Sequence, residues 1–296
     1  MAARPVPFPL WQHSVAARRD ACGDRVCGSS VLSRRRCVTR RDGTVEFQFD
    51  TARIGVNLPD RQSVLTAVRD RFERRQGFAL ATINLDHLVK LARSPAFRQA
   101  YAAQDLVCAD GNPIVWLSRL ARRPVSLVPG SDLVIPLARL AAETGIRVAL
   151  VGTTDAALDA AAARLRYEAP GLSIVATIAP PMGFDPDGEP AAAILSDLAA
   201  RDVGLCFLAL GAPRQEALAA RGRSLAPATG FASIGAGLDF LAGSQQRAPQ
   251  WVRRIAMEWA WRMLSAPRRL VSRYAACAAI LPGQAAAALA LRRRTR

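Results

Sequence analysis

The chain has 296 residues, 51% of them apolar, with 40 Lys plus Arg against 24 Asp plus Glu and a formal net charge of +16. This composition excludes a disordered chain, a collagen-like fibre and a small disulfide scaffold, and it accommodates one large domain or two small ones. The charge is unevenly placed: residues 1–43 carry nine Arg and three Asp, residues 247–296 carry eleven Arg and one acid, Glu258, and the stretch between is neutral. A neutral body between basic ends argues against nucleic acid bound along a basic groove over a whole domain, so the choice of partner rests on two short segments.

Lys90 is the only lysine, and the bias toward Arg elsewhere counts weakly toward phosphate chemistry. Six cysteines in a chain that opens without a sustained apolar leader indicate a reducing cytoplasm. His13, Cys22, Cys27 and Cys37 number four possible zinc ligands, but their spacing matches no common tetrahedral module. Cys108 and Cys206 lie in apolar runs and read as small buried hydrophobes.

In chain order, the first fifty residues are Arg-rich and without period, and read as a flexible arm. From Phe78 an alternation sets in. An apolar strand at 78–83 precedes a helical stretch with Leu88, Leu91, Phe97 and Tyr101, and a strand at 105–109 ends at Asp110-Gly111. A helix carrying Ile114, Val115, Trp116 and Leu120 follows, then another, capped by Ser131 or Asp132 and running to Thr144. Strand 147–151, a helix to Glu168, strand 172–178, the loop at 180–184, helix 191–200, strand 203–210, the turn Gly211-Ala212-Pro213, a helix from Arg214 and strand 231–234 complete the series. Short apolar strands alternating with helices predict an α/β fold: a Rossmann-like parallel sheet with helices on both faces. Its core is expected over 51–243, with a basic helical C-terminal appendage over 244–296.

Ligands of such sheets bind beyond the carboxyl ends of the strands. Asp110 stands at one of these ends, where a carboxylate can act as general base or merely make an Asp-Gly turn. Thr82 and Asn84 share a face at the end of the preceding strand; they can orient a sugar, or cap the following helix. Gly152 and Thr153 open a strand-to-helix junction whose amides suit a phosphate. There is neither a GxGxxG motif nor a Walker lysine. Asp185-Pro186-Asp187 spells a possible metal-nucleotide DxD, but the proline and nearby Glu189 favour a helix entry. His13 and His87 are too few and too far apart for a metal site or triad. Arg214, Gln215 and Glu216 open a helix at the ligand edge; the plain alternative is that Pro213 starts the first turn and Glu216 complements the helix dipole. Asp239 lies one strand later. Beyond Gly243, Trp251, Ile255, Trp259, Met263 and Leu264 line one face of a basic amphipathic helix suited to an anionic membrane surface. The segment 275–291 is Ala-rich and interrupted by Pro282-Gly283, so lying on a membrane is preferred to spanning it.

The blocks Thr82-Ile83-Asn84-Leu85-Asp86, Ala109-Asp110-Gly111 with Val115-Trp116, and Gly130-Ser131-Asp132-Leu133 resemble the WecG/TagA/CpsF family of glycosyltransferases. So do Leu210 to Glu216, Gly235 to Phe240, Arg247-Ala248-Pro249, Glu258-Trp259 with Arg262, Pro267-Arg268 and Arg273-Tyr274, in order, over about 53–275. The resemblance implies an inverting transfer from a UDP-sugar donor to a polyprenyl-diphosphate-linked saccharide on the cytoplasmic membrane surface, in surface or exported polysaccharide biosynthesis. N-acetylmannosamine, its uronic acid and glucose all fit the family. It further implies no cofactor and no metal, with Asp110 as base, Thr82 beside it and Asn84 positioning the acceptor. Gln215 would contact donor or acceptor. Arg247, Arg254, Arg262, Arg268 and Arg273 would gather over the diphosphate, a role suited to guanidinium forks. One position departs from the family: Leu127 stands where an Arg is usual, before Gly130. That departure keeps open a non-catalytic role in a polysaccharide-assembly complex, and the basic ends keep open nucleic-acid binding. The apolar helices allow a homo-oligomer.

Overall fold

The computed structural model describes residues 44–50, 52–265 and 267–293, with the side chains of residues 254, 265 and 269 outside the description. The expected arm over 1–43, with His13, Cys22, Cys27 and Cys37, lies outside the described residues.

The first described element is an antiparallel hairpin, β1 (Glu46–Phe49) and β2 (Ala52–Gly55), with Phe47 registered on Ile54. It corrects the reading of residues up to 50 as an arm. Val45, Phe47 and Phe49 alternate with polar neighbours, and this period of two turns all three inward. Helix α1 (Arg61–Glu73), which had no sequence expectation, follows, capped by Asp60, whose carboxylate accepts from Ser63 N–H at 2.7 Å.

The elements then alternate as expected: β3 (Phe78–Ile83), α2 (Leu85–Arg93), α3 (Pro95–Ala102), β4 (Leu106–Ala109), α4 (Asn112–Leu120), α5 (Gly130–Glu143), β5 (Val148–Gly152) and α6 (Asp155–Glu168). After them come β6 (Ile174–Ile178), α7 (Glu189–Ala200), β7 (Leu205–Ala209), α8 (Arg214–Leu225), β8 (Gly230–Ser233) and α9 (Gly237–Ala242). Strands β3 to β8 form a parallel sheet in the order β4-β3-β8-β7-β5-β6. Its inner strands are buried on both faces, which explains their unbroken apolar runs.

Helices α1, α5, α6 and α9 pack on one face with Leu80, Leu150 and Phe207. Helices α2, α3 and α4, with the hairpin, and α7 and α8 cover the other, against Ala79, Ala81, Ile83 and Phe231. Removing one such Leu or Ile from water contributes about 1.5–3 kcal/mol, so the sheet's two apolar faces fix where its polar carboxyl edge must lie. Edge strand β4 is covered: Leu58 N–H donates to Val107 O at 3.1 Å and Val128 N–H to Ala109 O at 2.7 Å.

Two local expectations are corrected. Helix α5 starts at Gly130 behind Pro129, so neither Ser131 nor Asp132 caps it; Asp132 sits in the first turn, its carboxylate engaged elsewhere. Beyond α9 lie α10 (Gln250–Arg254), α11 (Glu258–Ser265) and α12 (Pro267–Arg293). Helix α12 continues through Pro282 without the break that Pro282-Gly283 suggested. Its Cys277 and Ala288 are buried, and Ile280, Leu281, Ala285 and Leu291 pack toward α2 and α4. Trp259 meets Tyr274 edge to face at 6.0 Å and joins α11 to α12.

Candidate active site

Strand β3 carries Thr82 to the carboxyl edge, and β4 brings Asp110 beside it, because Thr82 is registered on Cys108, two residues earlier. Thr82 is buried and its hydroxyl donates to Asp110 Oδ2 at 3.5 Å. Asp110 N–H is tied to Ile83 O at 2.8 Å, which fixes the carboxylate's origin at the sheet edge. As a residue Asp110 is half-buried. Desolvation by the packed protein nevertheless pushes its carboxyl up to about 6; Glu258 and Asp132 add to the rise, and Arg262 and Arg247 oppose it. Four charged side chains from α5, α11 and the preceding linker therefore act on this one carboxylate. Such a group, ionised at neutral pH yet with raised proton affinity, is suited to take a proton from a hydroxyl.

A second cluster lies at the β5 and β8 ends. Thr153 donates its hydroxyl to Asp239 Oδ1 at 2.5 Å, and Gln245 Nε2 and the Ser244 hydroxyl also reach Asp239, at 3.1 and 3.3 Å. The backbone before it is tight: Gly152 has φ 135, and a Cβ there would lie 2.5 Å from Ala209 O. Thr154 caps α6 by accepting from Ala157 N–H at 3.4 Å.

Gln215, expected to contact donor or acceptor, has partners within the protein. Its side chain is buried, donating to Glu216 Oε1 at 2.8 Å while its own oxygen accepts from Gly235 N–H at 3.2 Å. It thus wires the start of α8 to the turn after β8. Glu216 is wholly buried rather than exposed at the helix end, and burial pushes its carboxyl up to about 7. Asn84 likewise acts as a cap: its Oδ1 accepts from His87 N–H at 3.0 Å. His87 is a core residue, pushed down to about 3 by burial and packed edge-on against Phe97 and Tyr101.

The arginines expected over a diphosphate separate into distinct environments. Arg262 is exposed and near enough to Asp110 to lower its proton affinity. Arg247 bonds Asp132, and Arg273 pairs with Asp86 at 2.7 Å. Arg268 and Arg214 are exposed, and the Arg254 side chain lies outside the described residues. Among residues not proposed for the site from sequence, Asp132 and Glu258 act on Asp110 through their charge. Both belong to short blocks of the resemblance, and that was the available signal. Lys90 was another omission: it pairs with Asp86 at 2.9 Å and donates to Ala212 O at 3.0 Å, tying α2 to the Gly211-Ala212-Pro213 turn. Among the described residues no three His, Cys, Asp or Glu side chains converge as a metal site would require.

A parallel sheet with a carboxylate of raised proton affinity and basic groups at its carboxyl edge has the layout of a group-transfer enzyme. The chain belongs to the WecG/TagA/CpsF glycosyl transferase family, whose model matches residues 49–295. A Bacillus spizizenii relative is 26% identical over 200 residues, covering 67% of this chain and 75% of the relative. A Bacillus subtilis relative is 25% identical over 221 residues, covering 72% and 83%. Both relatives are named N-acetylglucosaminyldiphosphoundecaprenol N-acetyl-beta-D-mannosaminyltransferase.

Proposed function

We propose that this glycosyltransferase moves a sugar, with inversion, from a UDP-sugar to a polyprenyl-diphosphate-linked saccharide during surface-polysaccharide assembly. Asp110 accepts the proton of the acceptor hydroxyl as its oxygen attacks the anomeric carbon. The bond from that carbon to the UDP diphosphate breaks on the opposite side. Developing charge on the departing diphosphate is met by Arg262, with amides near Gly152 and Thr153 as further donors. The observation that carries this reading is Asp110 itself: a carboxylate at the sheet's carboxyl edge, raised to about 6 by its surroundings.

The names of the two relatives make an N-acetylmannosamine donor and N-acetylglucosaminyl-diphosphoundecaprenol the first pair to assay. Asp110→Asn should lower turnover about a hundredfold, the scale of a lost general base. Near-normal turnover would reject the role. We propose that no metal takes part, so activity should persist in excess EDTA.

We propose that the reaction runs on the cytoplasmic face of the cell membrane. Exposed Trp251, Ile255, Trp259 and Leu264 beside exposed Arg262 and Arg268 support peripheral attachment through the appendage. Helix α12 has, over Leu270–Arg293, the length and composition to cross a bilayer, but its packing on α2 and α4 supports a helix laid on the protein body. Salt-sensitive flotation with anionic liposomes distinguishes attachment from spanning, which high salt would not reverse.

A further inference from the structure

We infer that Arg247 is not a diphosphate ligand but one half of a clasp with Asp132, and that this clasp seats α11 over Asp110. The inference rests on the transfer reading above for its catalytic consequence, though not for its geometry.

The linker between α9 and α10 starts at Gly243, a left-handed residue with φ 72 that turns the chain out of α9. The chain is then held by core carboxylates at two successive points. Ser244 and Gln245 bond Asp239, in the first turn of α9, and Arg247 bonds Asp132, in the first turn of α5. The Arg247 guanidinium also stacks over Phe240, 5.8 Å from the ring centroid. A planar fork that both pairs with a carboxylate and stacks on a ring has its orientation fixed, and lysine cannot reproduce this. About 77% of the Arg247 side-chain surface is removed from solvent, since 23% remains exposed. Its Nη1 makes the bond to Asp132 and its Nε is buried, so the guanidinium is held in place rather than free to turn toward a ligand.

A second tether lies further along. Arg273 of α12 pairs with Asp86 of α2, the carboxylate that also holds Lys90. Helix α11, with Glu258 and Arg262, falls in sequence between the two tethers. It is therefore pinned to the core on either side, with Glu258 and Arg262 acting on Asp110 from that position. Arg247 and Asp132 are thus positioning residues; of the described appendage arginines that act on Asp110, Arg247 is held by Asp132, and Arg262 has no carboxylate partner among the described residues.

The test uses the full chain and four variants: Arg247→Gln, Arg247→Lys, Asp132→Asn and the charge-swapped double Asp132→Arg with Arg247→Asp. Hydrogen exchange of α11 needs no substrate. In Arg247→Gln and Asp132→Asn it should accelerate at least tenfold while amides of β5 and β7 keep their protection, which controls for folding. The swapped pair should regain much of that protection. Turnover should fall at least tenfold in the single-site Gln and Asn variants, with affinity for UDP, the probe ligand, unchanged within twofold. Arg247→Lys should recover only in part. Unchanged exchange of α11, or a swapped pair no better than the single variants, would overturn the clasp. So would a tenfold loss of UDP affinity in Arg247→Gln with exchange unaltered, because that would put Arg247 on the diphosphate. Because the exchange result stands without any transfer assay, failure of the clasp and failure of the assigned reaction are separately visible.

Discussion

Thr82 and Asp110 meet across two neighbouring parallel strands, hydroxyl to carboxylate, at 3.5 Å. That distance is at the long end of a hydrogen bond, so the contact orients the carboxylate without saturating it. The oxygen remains an acceptor for a substrate proton. The register that pairs Thr82 with Cys108 produces this meeting, since it brings the end of β3 level with the start of the turn after β4.

Activity should follow the ionisation of Asp110. As a base it must be ionised, so kcat/KM of the free enzyme should rise with pH through a midpoint near 6, where burial and Glu258 hold its carboxyl. Glu258→Gln removes the largest like charge acting on it and should move that limb to lower pH, by about half a unit to one unit. A pH–rate profile of both proteins checks this. A wild-type limb at the ordinary carboxylate value would remove the electrostatic argument for Asp110.

Glu216 should leave a signature in stability rather than in rate. Its folded value, about 7, lies above the 4.5 of an exposed glutamate, so over that window the folded state binds more protons than the unfolded one. Stability consequently falls as pH rises from about 4.5 to 7. Glu216→Gln keeps an oxygen to accept from Gln215 and abolishes the ionisation. Urea unfolding across pH should give a flatter curve for this variant, by on the order of 2 kcal/mol between about pH 5 and pH 8. Equal slopes would show that Glu216 has the same proton affinity in the folded and unfolded chain, against the rise that burial produces.

Gly152→Ala should be among the costliest single-methyl additions in the sheet. The new Cβ meets backbone, Ala209 O at 2.5 Å, on a partner that cannot withdraw without breaking the β5–β7 ladder, and φ 135 is itself unfavourable for alanine. A loss on the order of 3 kcal/mol is expected by urea unfolding. Gly55→Ala, whose nearest contact is 3.6 Å at an ordinary φ, should cost no more than about 1 kcal/mol.

Much of the architecture was legible because its signals are local. Strands such as 78–83 and 205–209 are continuous apolar runs between helical periods, and that alternation forces a parallel sheet with its polar ends at one edge. The hairpin is faint in the sequence because two four-residue strands carry too few alternations to stand out beside an Arg-rich stretch. Helix α1 is faint for a related reason: the apolar part of its buried face is Val64, Val68 and Phe72 among many charges. Pro282 misled in the opposite direction, since neighbouring helices hold α12 together where propensity alone would end it.

By itself, the sequence determined the order of elements, the strand ends that could carry chemistry, and the family blocks that place Asp110 and Thr82 among them. It could not decide which polar residue meets which, because those partners are separated by large stretches of chain. Asp132 and Arg247 are 115 residues apart, Thr153 and Asp239 are 86 apart, and Lys90 and Ala212 are 122 apart. Pairing at that separation follows from how the sheet orders its strands and how α10 to α12 fold back over the carboxyl edge. Only the tertiary structure could therefore divide the described appendage arginines, setting Arg247 and Arg273 against carboxylates of α5 and α2 and bringing the charges of Arg262 and Arg247 to bear on Asp110.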